Sequence, residues 1–161
     1  MFIAHVPAGY LLTRSLRHVL NRTERLTILV GSLLPDMDLL LFYFRDGQSV
    51  HHHTYLTHRP VFWLAVVGLG LAAQRRHRSG RMLGVLGMAG LLHLILDTVG
   101  GAINWGWPMV DIMGPLVVVP ASRSHWVLSF LTHWTFAIEV AICLVAIAGW
   151  SASKATKNPS Q

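Results

Sequence analysis

Gly90-Leu91-Leu92-His93-Leu94-Ile95-Leu96-Asp97-Thr98 sets an imidazole and a carboxylate four residues apart inside an almost unbroken apolar run, residues 82–103. Residues four apart share one face of a helix, and ionisable groups in a membrane-length apolar segment are costly enough to mark function. The stretch points to a metal or a proton path held within a membrane. The plain alternative is a polar pair satisfied by neighbouring helices.

Composition agrees with a membrane protein. The chain of 161 residues is 53% hydrophobic, 12% charged and has a mean hydropathy of +0.49, which predicts one compact domain lying mostly in lipid. The formal charge of +6 would raise nucleic acid binding in a soluble protein. Here the basic residues sit at the ends of apolar runs and read as topology signals, so the expected partner is membrane lipid and not nucleic acid. Cys143 is the single cysteine, which excludes a disulfide framework and a cysteine-based metal site.

Working outward, four apolar segments organise the chain: residues 26–44, interrupted by Asp36 and Asp38; 60–73, uncharged; 82–103; and 126–150, which contains His133 and Glu139. Each reads as a helix, because a lone span must satisfy its own backbone hydrogen bonds. Residues 60–73 are short against the roughly 20 residues of a crossing and need flanking turns or a thin bilayer. Residues 2–20 begin apolar and turn basic through Arg14, Arg17 and His18, which predicts an N-terminal helix that crosses obliquely or lies in the interface. The fold class expected is all-α: a polytopic membrane helical bundle of about four spans plus that amphipathic or oblique helix. Residues 1–150 form one domain, and residues 151–161 a polar tail expected to be disordered.

The arginines follow the first apolar stretch instead of preceding it, unlike a cleavable signal peptide. Positive charge gathers in residues 14–25, in residues 75–81 and in the tail, with only Arg45, Arg59 and Arg123 elsewhere. Placing those three regions in the cytoplasm obeys the positive-inside tendency, with the N-terminus outside and the C-terminus inside an inner (plasma) membrane. Trp105, Trp107 and Trp126 then lie near the outer interface and Trp150 near the inner one. At 1.5 Å of rise per residue, His93 lies about 18 Å and Asp97 about 24 Å from Arg81, and Asp36 about 16 Å from Arg25. All three fall in the outer half of the bilayer, the side that also receives His5 and His58. Unrelated core polar residues have no reason to share one depth.

Local chemistry adds detail. In Leu34-Pro35-Asp36-Met37-Asp38 the proline predicts a kink that aims a carboxylate inward, although Pro-Asp alone is also an ordinary helix start. His51-His52-His53-Thr54-Tyr55-Leu56-Thr57-His58-Arg59 offers four imidazoles in a loop running into a helix, a credible source of ligands. His18, His77 and His125 read as interfacial or basic-loop residues.

The order His5-Val6-Pro7-Ala8-Gly9, then Gly31-Ser32-Leu33-Leu34-Pro35-Asp36-Met37-Asp38, then His53 and Thr57-His58, then His93 and Asp97, resembles the YdjM-like inner-membrane metal-dependent hydrolase family. The resemblance extends to Gly101-Ala102-Ile103-Asn104-Trp105-Gly106-Trp107-Pro108 and to His133-Trp134-Thr135-Phe136-Ala137-Ile138-Glu139. Arg59 stands where that family often has Ser, and the histidine triplet leaves His52 and His53 as alternatives for one position. The resemblance implies a multi-helix membrane protein with a divalent metal site and hydrolase activity. Ligand order is also similar to that of zinc phospholipase C and single-strand nuclease enzymes, which implies a phosphodiester substrate.

Read from the residues, His and carboxylate ligands suit zinc, as one or two ions, with manganese or iron as alternatives. The expected ligands are His5, Asp36, His53, His58, His93 and Asp97. Asp38 is expected to orient a ligand or act as general base, and Arg59 to hold a phosphate oxygen. His133 and Glu139, six apart, do not share a helix face. The leading function is a membrane hydrolase acting on a lipid or amphiphilic phosphoester at the outer leaflet. A metal or proton transporter needs a polar path to the cytoplasmic face, and the inner halves of the spans offer none; a non-catalytic metal-binding protein is the third reading.

Overall fold

A computed structural model describes residues 3–47 and 49–155. It is all-helical: among the described residues there is no strand, only an isolated antiparallel bridge between Ile103 and Gly114. Seven α-helices follow in order: α1 (His5–Ser15), α2 (Arg22–Gly31), α3 (Leu39–Phe44), α4 (Pro60–Ala73), α5 (Arg78–Asp97), α6 (Trp126–Leu131) and α7 (Trp134–Ala155). Three short 3-10 turns, Pro35–Asp38, His52–Thr54 and Leu56–His58, interrupt them.

Helix α5 is the centre of the bundle, with α4 and α2 packed on it and α1 wedged among α2, α5 and α7. Small residues let α4 and α5 approach closely, as helices in lipid favour. A Cβ on Gly70 would stand 2.4 Å from the Gly84 nitrogen, and one on Gly90 would stand 2.1 Å from the Trp63 indole. Two apolar clusters result, Leu20, Ile28, Val85 and Ala89 in one half of the bundle and Trp63, Leu94 and Ile103 in the other.

Side-chain anchors at the two ends fix the arrangement. At one end Arg81 of α5 pairs with buried Glu24 at 3.0 Å and donates to the Val19 carbonyl. Glu24 also closes a capping box with Asn21 at the start of α2. At that same end Arg14 of α1 donates to the Gly149 carbonyl and to Ser153 Oγ on α7. The basic segments 14–25 and 75–81 and the end of α7 therefore lie together. At the opposite end Glu139 accepts from the Ile3 and Ala4 amides at 2.6 and 3.2 Å, a carboxylate set against the start of α1.

The apolar segments differ in places from the sequence expectation. The bend at Pro35 is present: α2 and the Pro35–Phe44 segment meet at 43°. Helix α5 begins earlier and ends earlier than the 82–103 run, because Thr98 turns its hydroxyl back to the Leu94 carbonyl and the Gly101 amide closes onto Asp97. Residues 126–150 are broken: Thr132 bonds back to the Leu128 carbonyl, and His133 accepts from the Thr135 amide to start α7 afresh. Among the described residues two helices, α5 and Trp134–Lys154 of α7, are long and apolar enough to cross a membrane, or three spans if the bent pair counts as one. The expected number was about four, and α4, with 14 residues, falls short by length. Helix α7 also takes in residues 151–155 of the expected tail, and the remainder, 156–161, lies outside the described residues.

Large apolar side chains face outward along these helices, among them Leu64, Leu69 and Leu71 on α4 and Leu144, Val145 and Ile147 on α7. An apolar exterior of that extent fits lipid rather than water.

Candidate metal centre

Asp36, His58, His93 and Asp97 converge from three parts of the chain at the end of the bundle opposite the basic loops. His93 and Asp97 share a face of α5, with His93 Nε2 3.0 Å from Asp97 Oδ2. The 3-10 turn opened by Pro35 presents Asp36, whose Oδ1 lies 3.5 Å from His93 Nε2. The turn at Leu56–His58 presents His58, whose Nε2 lies 3.5 Å from Asp97 Oδ2 and 3.9 Å from Asp36 Oδ1. A tetrahedron with metal–ligand bonds of about 2.0–2.1 Å has edges of about 3.3 Å. These four separations of 3.0–3.9 Å lie around that value.

The tautomers are fixed from behind. His93 Nδ1 donates to the Ser32 carbonyl at 2.8 Å, which turns its Nε2 lone pair toward the cluster. His58 Nδ1 donates to Asp38 Oδ2 at 2.5 Å, and Thr57 Oγ1 donates to the same oxygen at 2.6 Å. Trp63 Nε1 then donates to the Thr57 carbonyl at 2.7 Å and ties the turn to the α4–α5 seam. The remaining ring nitrogens, His58 Nε2 and His93 Nε2, are buried and have no hydrogen-bond partner among the described residues. Unsatisfied buried nitrogens facing two carboxylates are the arrangement a divalent cation completes, since it satisfies the nitrogens and offsets the buried negative charge. The residues fit such an ion.

His5 and His53, the other two expected ligands, stand next to the four. His5 stacks on His93 with ring centroids 3.7 Å apart and reaches both carboxylates, Nε2 to Asp97 Oδ1 at 3.1 Å and Nδ1 to Asp36 Oδ2 at 3.6 Å. His53 Nε2 lies 3.9 Å from Asp97 Oδ2 and belongs to a second close group, His52, His53 and His58. Burial, reinforced by the adjacent His52, holds the His53 imidazole far below its ordinary value, at about 2, so at neutral pH the ring is an uncharged donor. Gly101 makes room for that ring: a Cβ there would stand 2.4 Å from His53 Cε1.

Asp38 sits behind His58 and is itself buried, so its observed contact is orientation of that ring. Arg59 lies over the Trp107 ring at 5.4 Å, donates from Nε to the Thr54 carbonyl, and keeps a buried guanidinium nitrogen without a hydrogen-bond partner among the described residues. His133 and Glu139 serve the start of α7 and of α1 and take no part in the cluster. His18, His77 and His125 are exposed. Sequence reasoning did not find the Ser32 carbonyl, Thr57 as a support for Asp38, or Trp63. Trp63 had a readable signal, an indole six residues after a candidate ligand turn, whereas a backbone carbonyl carries none.

No curated protein and no solved structure matches the chain. The sequence model of the YdjM inner membrane protein family does match, over residues 1–158. With apolar helices around a buried His and Asp cluster and nearly the whole chain matched, the protein belongs to the YdjM inner membrane protein family.

Proposed function

We propose that the chain is a membrane-embedded, divalent-metal-dependent hydrolase, with zinc the best-fitting ion, acting on a phosphoester of a lipid or amphiphile at the outer leaflet. The observation that carries the reading is the set of Asp36, His58, His93 and Asp97, whose donor atoms lie within 4.8 Å of one another and which includes two buried ring nitrogens with no hydrogen bond among the described residues. The chemistry a bound ion supplies there is activation of water near neutral pH and polarisation of a phosphoryl oxygen. The chain's own residues do the rest. Ser32 and Asp38 hold the two imidazoles with Nε2 toward the cluster, and His5 Nε2 steadies the outer oxygen of Asp97. Asp36 is the member open to the outside, its side chain 30% exposed against 2% or less for the other three, so substrate approaches past it. Arg59, with its unpaired guanidinium nitrogen, is the residue to receive a phosphate oxygen.

The proposed orientation puts the basic end in the cytoplasm and the cluster at the outer leaflet, within reach of lipid headgroups. Helix α4 then crosses with the help of its flanking turns as a fourth span.

Four protein donors can also close a tetrahedron completely, as structural sites do. That favours a second reading, a non-catalytic metal-binding membrane protein. Incubating the metal-loaded protein with a panel of phospholipids and lipid phosphates separates the two. Product release that Asp97→Ala abolishes is expected; a loaded protein that releases nothing from any of them supports the second reading.

A further inference from the structure

The inner set leaves one group of imidazoles unused, the histidines of residues 51–53. His52, His53 and His58 each offer a donor atom within 4.8 Å of the others, so they form a second candidate set. His58 belongs to both sets. Its Nδ1 is engaged with Asp38, which leaves Nε2 as its only free donor. One nitrogen cannot serve two ions, so both sets cannot be filled through His58 together.

Exposure falls steadily along the same rings. His51 is exposed, His52 half-buried, His53 buried and His58 fully buried. Neighbouring rings are close, with centroids 4.1 Å apart for His52 and His53 and 4.7 Å for His53 and His58. Charge changes in the same direction: the outer set has only imidazoles, whereas the inner one has two carboxylates to offset a dication. A cation is therefore held more tightly at each step inward.

We infer that His52, His53 and His58 form an outer loading site, at which a divalent cation is first caught and from which it passes, pivoting on His58, to Asp36, His93 and Asp97. The inference rests on the metal reading proposed above and adds a route and an order of ligand exchange. His52 is a ligand in transit and has no place in the final set. Its loss changes rates in both directions and leaves the final affinity alone.

The test uses the detergent-purified full chain and Zn²⁺ as probe, following uptake by the chelator-treated protein and stripping of the loaded protein by a chromophoric chelator. In His52→Gln both rates should fall by about tenfold or more, the lower end of what residues around a metal contribute, with affinity unchanged and a single ion bound at saturation. Unchanged stoichiometry also reports that the variant is folded, and His53→Gln should slow both rates likewise. Three results overturn the inference while sparing the metal reading: rates unchanged in either variant, a weakened final affinity in His52→Gln, or two ions held at once by the wild type. A wild type that binds no Zn²⁺ overturns both.

Discussion

Asp38→Ala tests whether this carboxylate works by holding His58. Its Oδ2 accepts from His58 Nδ1 at 2.5 Å and from Thr57 Oγ1 at 2.6 Å, in a position only 2% exposed. Truncation leaves the His58 N–H without an acceptor where water does not reach, and frees the ring to turn Nε2 out of the cluster. Partners of metal-holding histidines typically contribute 10–100-fold in affinity, which corresponds to about 1.4–2.8 kcal/mol. A hydrogen bond to a charged group is worth about 1.5–3 kcal/mol, the same range. The assay is competition for Zn²⁺ between the detergent-solubilised protein and a chelator of known affinity. Asp38→Ala should bind 10–100-fold more weakly, and Thr57→Val, which removes only one of two bonds to the same oxygen, should lose less than about tenfold. Wild-type affinity in a helical Asp38→Ala protein would refute the positioning role. If such a variant also lost hydrolysis, Asp38 would instead be acting as the general base.

Three other outcomes follow from the packing and the ends of the bundle. Gly90→Ala drives a Cβ to within 2.1 Å of the Trp63 indole and should destabilise the protein by about 1–3 kcal/mol, read as a lower thermal midpoint in detergent. Gly101→Ala puts a Cβ 2.4 Å from His53 Cε1, and should slow Zn²⁺ uptake while leaving the helix content by circular dichroism unchanged. On a Cys143→Ser background, Ser79→Cys lies in the basic segment at the start of α5, proposed to be cytoplasmic, and should resist an impermeant thiol reagent added outside; labelling of intact cells would reverse the topology.

The parts of the site that depend on local periodicity or on a breaker were legible in the sequence. His93 and Asp97 share a helix face because they are four apart, and Pro35 breaks the helix so that Asp36 points inward. His58 was readable from the density of imidazoles in its loop. What was not legible depends on tertiary approach. The Ser32 carbonyl that fixes His93 comes from 61 residues away, and Glu139 reaches the start of α1 across 135. A chain reads as apolar equally well whether a helix is continuous or is cut in two, which is why the break at Thr132 and His133 escaped the pattern. Hydropathy sums residues, whereas a single threonine hydroxyl bonded one turn back decides where the helix stops.

Four side chains, Asp36, His58, His93 and Asp97, are proposed to hold one divalent ion. Elemental analysis of the detergent-purified wild type beside Asp97→Ala and His58→Ala tests it most directly. Bound metal in the wild type and its loss in both variants, with helicity retained, is the expected result; metal content equal in all three proteins would refute a shared four-ligand site.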